Sequence, residues 1–286
     1  MPAFRPVPAI RMIRSLARYD CRILLDLEDG IKDPENVAET KRRKQQARKD
    51  LTAICAALPR LKFAVRVNAL DTTEFEPDEH LLRRVPNITS VFIPKAEDAD
   101  AIAAFARRHP KHKLHLIAET RKGVANLNAL LDTAAKQQIE YVFFGNYDYH
   151  LDTDIYPVRE QYTKAYWDIA SPLIATVERH GLRFGNSPYA QLDDVGTLQF
   201  IYSQLTEKCS KPFAMMSLQR WQTAQYCAIA NGNCAPVKKK CRTADSRELD
   251  IQYRNSIVNG LSFALNNITR RIITPHEYLL WKQQHG

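Results

Sequence analysis

Seven short runs of apolar, β-branched and aromatic residues punctuate the chain, and stretches that suit helices separate them. The runs are 22–28 (RILLDLE), 61–68 (LKFAVRVN), 90–95 (SVFIPK), 114–120 (LHLIAET), 141–145 (YVFFG), 182–186 (LRFGN) and 212–217 (PFAMMS). The separators include 96–108, 123–136 and 162–180. A near-continuous apolar strand is one buried on both faces. Strand then helix, repeated, is the pattern of a parallel sheet covered by its own crossover helices.

The polar residues narrow this α/β class further. Run after run ends in one: Asp26, Glu28 and Asp29, then Arg66 and Asn68, Lys95, Glu119 and Thr120, and Asp148 just past Gly145. A doubly wound sheet gathers its ligand groups at one crevice, whereas a barrel collects them from most strands at one mouth. The pattern predicts a (β/α)8 TIM barrel over residues 1–241 with a C-terminal helical extension over 242–286. Only residues 1–4 remain for a strand ahead of the first run, which leaves the first strand of the barrel truncated. In the tail, 246–267 reads as a long helix. Thr274, Pro275 and Glu277 supply the N-cap, first-turn proline and reciprocal acid of a capping box that opens another.

Composition excludes several classes. At 45% hydrophobic and 26% charged, the 286 residues can bury a core and do not read as disordered. No run approaches the roughly 18 apolar residues of a membrane span, and the first residues lack a signal-peptide core, so the cytoplasm is the expected compartment and a membrane is not an expected partner. The formal charge is +9, from 41 Lys and Arg against 32 Asp and Glu. Its densest cluster, Lys41, Arg42, Arg43, Lys44, Arg48 and Lys49, reads as a solvated helix face. A nucleic-acid patch would interleave aromatics, and none are there. Lys238–Lys240 reads as a surface loop. The six cysteines fit no zinc or redox spacing and read as free thiols, while His112 and His115 read as residues flanking a strand. There is no phosphate-binding loop, dinucleotide fingerprint, serine elbow or HExxH.

Strand-end acids carry the strongest chemical signal. Glu119 and Asp148 would serve Mg²⁺, which takes one or two protein carboxylates and keeps waters and substrate oxygens as its other ligands. Asp26, Glu28 and Asp29 stand ready to hold those waters. Helix capping or ion pairing explains the same acids equally well. Arg66 and Asn68 share one strand face, opposite Val65 and Val67. An inward arginine needs an anion, either a substrate carboxylate bound by two parallel hydrogen bonds or an internal partner such as Glu28. Lys95 ends its run in the same way, and Gly145 lets a ligand approach the backbone or simply makes a turn.

At these residues the sequence resembles the HpcH/HpaI aldolase/citrate lyase family, in its citrate lyase beta-subunit-like branch. Asp26-Leu27-Glu28-Asp29-Gly30-Ile31 is similar to that branch's DLED[AG]V, and Lys44-Gln45-Gln46-Ala47-Arg48 to its K-x-x-A-R. Val65-Arg66-Val67-Asn68 resembles VRVN, and Ile93-Pro94-Lys95-Ala96-Glu97 resembles I/LPK-x-E. Ile117-Ala118-Glu119-Thr120 with Gly123 and Asn126, and Gly145-Asn146-Tyr147-Asp148 with Asp152, complete the series. The resemblance implies a (β/α)8 barrel binding Mg²⁺ or Mn²⁺ through Glu119 and Asp148. It puts a substrate carboxylate on Arg66, with Lys95, Gly145 and Asn146 lining the substrate and Glu28 and Asp29 assisting proton transfer. The implied reaction makes or breaks a carbon–carbon bond through an enolate of a 2-oxo acid or an acyl-CoA, in a homo-oligomer (trimer or hexamer). Three departures stand out: Pro2-Ala3 stands where the family's first strand usually ends in a P-G/A turn, Met216-Ser217-Leu218-Gln219 occupies the place of the family's I-H-P-x-Q, and the F-x-P lid pattern is missing from the tail. A catalytically altered barrel acting as a ligand-binding or scaffold protein is the alternative these departures favour.

Overall fold

The computed structural model describes residues 6–33, 35–133, 136–191, 194–233, 247–248, 250–251, 254 and 271–285. Seven strands occur among them, each bounded within two residues of its expected limits. The strand expected at 1–4, the lysine run 238–240, Cys234, Cys241 and nearly all of the helix expected over 246–267 lie outside the described residues. The chain divides into two compact units, Met1–Ala118 with Ala125–Val142, and Glu119–Val124 with Phe143–Gly286. No helix among the described residues is long and apolar enough to cross a membrane.

The first unit opens with helix α1 (Pro6–Leu16) and strand β1 (Ile23–Asp26), then a single 3-10 turn, Asp29–Ile31. It continues through α2 (Val37–Ala57), β2 (Phe63–Arg66), α3 (Phe75–Arg84), β3 (Ile88–Ile93), α4 (Ala99–Arg108) and β4 (Lys113–Ala118). Strands β1 to β4 pair in chain order, all parallel, with a register shift between Phe63 and Ala64 of β2, where β3 carries Thr89 as an extra residue. Asn36 and Asp98 cap α2 and α4 by accepting from backbone N–H groups of their first turns.

Register separates the two faces of these strands. Leu25, Val65, Val91 and Leu114 form one row across the sheet, all buried, as helix-covered strands require. The opposite face carries a row of Leu24, Ala64, Ser90 and Lys113, and beyond it a row of Asp26, Arg66, Phe92 and His115. Chemistry is therefore confined to one face. His115 corrects the sequence reading: it does not flank β4 but lies within it, buried, its ring 4.5 Å from that of Phe92.

The expected helix over 123–136 is replaced by two short ones, α5 (Arg121–Ala125) and α6 (Leu127–Leu131). Asn126 leaves helical geometry between them, as residues whose side chains compete for backbone groups tend to do. Strand β5 (Ile139–Phe144) follows.

The second unit holds α7 (Asn146–Asp152), α8 (Lys164–Arg179), β6 (Arg183–Asn186), α9 (Val195–Lys208), β7 (Ala214–Met215), α10 (Arg220–Ala230) and α11 (Pro275–His285). Strands β6 and β7 pair in parallel. Gly185 is needed where it stands: a Cβ there would lie 2.2 Å from the Phe143 ring. The capping box of α11 is formed, with Thr274 N donating to Glu277 Oε2 at 2.9 Å and Glu277 N to Thr274 Oγ1 at 3.1 Å. Glu277 also shares the buried Arg271 guanidinium with Glu160, at 2.7 and 2.8 Å. Burial pushes the Glu277 carboxyl up, and Arg271 opposes it.

The basic run on α2 also corrects the sequence reading. Arg42 and Arg43 do sit at the surface, paired with Glu39. Lys44 and Arg48, one turn apart, point inward. Arg48 bonds Asp78 at 2.7 Å and Glu74 at 2.8 Å, while the other oxygen of Asp78 accepts from the backbone and side-chain nitrogens of Asn68. Asp78 is fully buried, so its charge survives only because each oxygen has a donor. Asp78→Ala leaves Arg48 half-paired inside the protein and is expected to cost about 3–5 kcal/mol of unfolding free energy, read from urea denaturation of the two proteins side by side.

Candidate active site

In the first unit, five of the polar strand-end residues meet. Arg66, at the end of β2, stands directly opposite Asp26 of β1 in the parallel register. Its Nε donates to Asp26 Oδ1 at 2.7 Å and its Nη2 to Asp26 Oδ2 at 2.6 Å, a bidentate pair. Nη1 lies 3.0 Å from Glu28 Oε2 and 4.0 Å from Asp29 Oδ2. Lys95 Nζ reaches Glu28 Oε1 at 3.5 Å. Lys95 has φ of +48°, a left-handed conformation that a non-glycine residue adopts at a cost of about 1–2 kcal/mol.

Asp26 is fixed from its other side as well. The Glu28 N–H donates to Oδ1 at 3.0 Å and the Gly30 N–H to Oδ2 at 2.8 Å. A Cβ on residue 30 would stand 2.4 Å from that same oxygen, so glycine lets the turn close on the carboxylate without displacing it. Burial alone would raise the Asp26 pKa, yet the charge and hydrogen bonds of Arg66 hold it well below the ordinary range. Burial likewise works against the Arg66 charge, and Asp26 and Glu28 overcome it.

Lys44 arrives from α2 and donates to Asn68 Oδ1, while Asn68 Nδ2 donates to Leu27 O at 3.0 Å. Burial lowers the Lys44 pKa, and Glu28 and Asp29 resist that shift. Asp26, Glu28 and Asp29 are thus balanced by Arg66, Lys95 and Lys44. The sequence suggests Glu28 as Arg66's internal partner, whereas the principal one is Asp26, and Lys44, expected on a solvated helix face, joins the cluster instead. The available signal was the spacing of Lys44, Ala47 and Arg48, which shares one side of a helix with the buried Leu51.

The second unit holds the remaining candidates. Glu119 follows β4 and is buried, at 2% exposure; Asp148 is half-buried in the first turn of α7. Thr120 caps α5 by accepting from Gly123 N at 3.0 Å. The Arg121 N–H donates to Asp152 Oδ2 at 2.6 Å, which ties the loop carrying Glu119 to the helix carrying Asp148. Gly145 precedes α7 with φ of −85°, a conformation open to any residue. Asn146 is fully buried and occupied locally: its N–H donates to Ser187 Oγ at 3.0 Å, its Nδ2 to Arg159 O at 3.2 Å, and its carbonyl meets His150 Nδ1 at 2.6 Å. Burial pushes the His150 imidazole down to about 4.

The donor chemistry of Glu119 and Asp148 fits a hard divalent cation such as Mg²⁺ or Mn²⁺. Two carboxylates are the protein share of such a site, the other positions going to water and substrate oxygens. Among the described residues there is no group of three or more His, Cys, Asp or Glu side chains of the kind that closes a transition-metal cage.

Comparison with known proteins places this chain. It is 30% identical over 135 residues to a citrate lyase subunit beta-like protein of Deinococcus radiodurans, a match spanning 46% of this chain and 45% of that protein. Among solved structures it resembles the citrate lyase beta subunit of M. tuberculosis complexed with oxaloacetate and magnesium, with a TM-score of 0.63 at 19% identity over 80% of this chain and 93% of that one. It also resembles the CitE protein of Mycobacterium tuberculosis in complex with magnesium, acetoacetate and coenzyme A, with a TM-score of 0.64 at 18% identity over 100% and 96%. RipC of Yersinia pestis matches with a TM-score of 0.58 at 20% identity over 72% and 86%. At these identities the structural likeness speaks for the fold. The family profile of the HpcH/HpaI aldolase/citrate lyase group matches residues 4–187, well over half of the sequence. The chain belongs to the HpcH/HpaI aldolase/citrate lyase family.

Proposed function

We propose that this protein is a divalent-metal-dependent carbon–carbon lyase or aldolase acting on a 2-oxo acid, or on a related carboxylate or acyl-CoA. The observation that carries the reading is Arg66: a buried guanidinium at a strand end, oriented by the bidentate bond to Asp26. Each terminal nitrogen of a guanidinium has two N–H groups, so Nη1 and Nη2 keep donors for a substrate carboxylate after Asp26 and Glu28 are served. Lys95 adds a second cation for the same anion. Glu28, between Arg66 and Lys95, and Asp29 beside it are suited to orient a water or move a proton at the substrate.

Glu119 and Asp148 are the residues that would hold Mg²⁺ or Mn²⁺. When bound, the ion would supply Lewis-acid stabilisation of the negative charge that develops beside a carbonyl as the carbon–carbon bond breaks or forms. The relatives complexed with magnesium and with oxaloacetate or acetoacetate support this choice of ion and substrate class. The relative that also carries coenzyme A keeps an acyl-CoA within it. Gly145 is a candidate backbone contact. Asn146 is a candidate contact through its side-chain Oδ1, because its N–H, its carbonyl and its amide nitrogen already serve Ser187, His150 and Arg159. We further propose that the fold is a (β/α)8 barrel over 1–241 with a helical extension over 242–286, and that it works in the cytoplasm as a trimer or hexamer.

Enolate formation can be read without knowing the second substrate. Incubated with pyruvate in D₂O, the protein is expected to deplete the methyl proton signal in NMR only when Mg²⁺ is present, and Glu119→Gln to slow that loss by about 100-fold or more. Unchanged exchange in the variant would remove Glu119 from the metal site. No exchange by the wild-type protein on either pyruvate or acetyl-CoA would favour a ligand-binding barrel without turnover. Asp26→Asn is expected to lower the same exchange rate about 10- to 100-fold, as loss of an orienting partner does, with the larger effect on KM because the Arg66 guanidinium loses its aim.

A further inference from the structure

The first unit has a second cluster of charge at the other end of its strands. A cavity of about 540 Å³ lies at the N-terminal ends of β1 to β4, within the size range of small-molecule sites. Arg22, Arg60, Lys62 and Lys113 line it together with Ser90 and Glu140. Lys113 and Ser90 are register partners on neighbouring strands, and Lys62 and Arg22 precede Ala64 and Leu24 of the same row by two residues. Side-chain alternation therefore sends Arg22, Lys62 and Lys113 to the face that carries Arg66 at its far end.

That arrangement is unusual for its place. The inward layers of a parallel barrel are filled by bulky apolar side chains, and the N-terminal face normally serves stability alone. Here β1, β2 and β4 each bring a cation to one opening, and β3 brings Ser90 between them. Glu140 is engaged with Arg22, whose Nη1 and Nη2 donate to its two oxygens at 2.6 and 2.9 Å. His115 lies against the same pair, 3.4 Å from Arg22 Nη1 and 4.0 Å from Glu140. Asp20 acts on Arg22 from further off. Among the described residues Arg60, Lys62 and Lys113 have no carboxylate partner. Like charges gathered around a recess repel one another and attract a compact anion, and the attraction grows with the anion's charge.

We propose that this cavity is an anion site for a small phosphorylated molecule, distinct from the strand-end cluster around Arg66. A phosphoryl group carries close to two negative charges and three acceptor oxygens, and so satisfies several cations at once where a single carboxylate cannot. Ser90 offers a hydroxyl donor beside the cations. The recess is open to solvent on one side, and its volume suits a metabolite-sized ligand rather than a nucleic-acid duplex.

Inorganic phosphate and pyrophosphate are the probes, titrated calorimetrically into the full-length protein without added divalent metal and at constant ionic strength. Saturable binding is expected, tighter for pyrophosphate, and weakened about tenfold or more in Lys62→Ala/Lys113→Ala, in line with loss of two charge-assisted contacts. Lys95→Ala, at the opposite strand ends, is expected to bind both probes as the wild type does. The double variant should keep the Mg²⁺-dependent exchange of pyruvate protons, since neither lysine belongs to that machinery. Lys113→Glu, a single exposed change, is expected to abolish binding and guards against a folding defect in the double variant. Absence of saturable binding, binding unchanged in Lys62→Ala/Lys113→Ala, or binding lost in Lys95→Ala would each overturn the proposal.

Discussion

A buried guanidinium on a β-strand is tolerable only if an anion meets it, and in this protein the Asp26–Arg66 pair satisfies that condition. The two residues are neighbours by register, so the pairing of β1 with β2 is at once a backbone ladder and an ion pair. Removing two charges from water costs several kcal/mol per ion, and only good geometry with further hydrogen bonds recovers it. The further bonds come from the turn after β1, whose amides at Glu28 and Gly30 complete the coordination of the carboxylate. The position of that turn in turn sets where Glu28 and Asp29 stand, and Glu28 brings in Lys95. The candidate chemistry of the first unit is thus a consequence of how one charge was buried.

Much of this was legible in the sequence. Strands such as FAVR and SVFI stood out because both of their faces are covered, which leaves no polar alternation to confuse the reading. The box at Thr274 and Glu277 was legible because its chemistry is local. Features that depend on two distant segments were harder. Glu28 looked the natural partner for Arg66, but register puts Asp26 directly across the ladder, and register is not written in either segment alone. The basic run on α2 looked like a solvated face because its composition does not reveal that Lys44 and Arg48 find acceptors just past β2 and on α3. His115 reads from the sequence as flanking a strand; a tilted ring contact with Phe92 and the nearby Arg22–Glu140 pair accommodate it within β4.

The working face of the first unit is polar at both ends and differently so at each. Around Arg66, acids and cations balance, which suits a site that must receive charged substrate without holding it too tightly. Around Lys62 and Lys113, cations are in excess. Between the two lie Leu24 and Ala64, apolar side chains that separate the two charged ends. The second unit adds a different resource, the hard oxygen donors Glu119 and Asp148, which follow consecutive strands of the chain.

The turn at residues 26–30 bears on how such a sequence can change. Three of the five letters in Asp-Leu-Glu-Asp-Gly answer to a single carboxylate: the acid itself, the amide two residues on, and the bare Cα two further on that leaves it room. A fourth condition lies forty positions away, at Arg66. These positions behave as one word split between two places. A chimera that took residues 26–30 from one parent and residue 66 from another would inherit an unpaired buried ion unless both parents spelled it alike, so recombination is best broken outside 26–66.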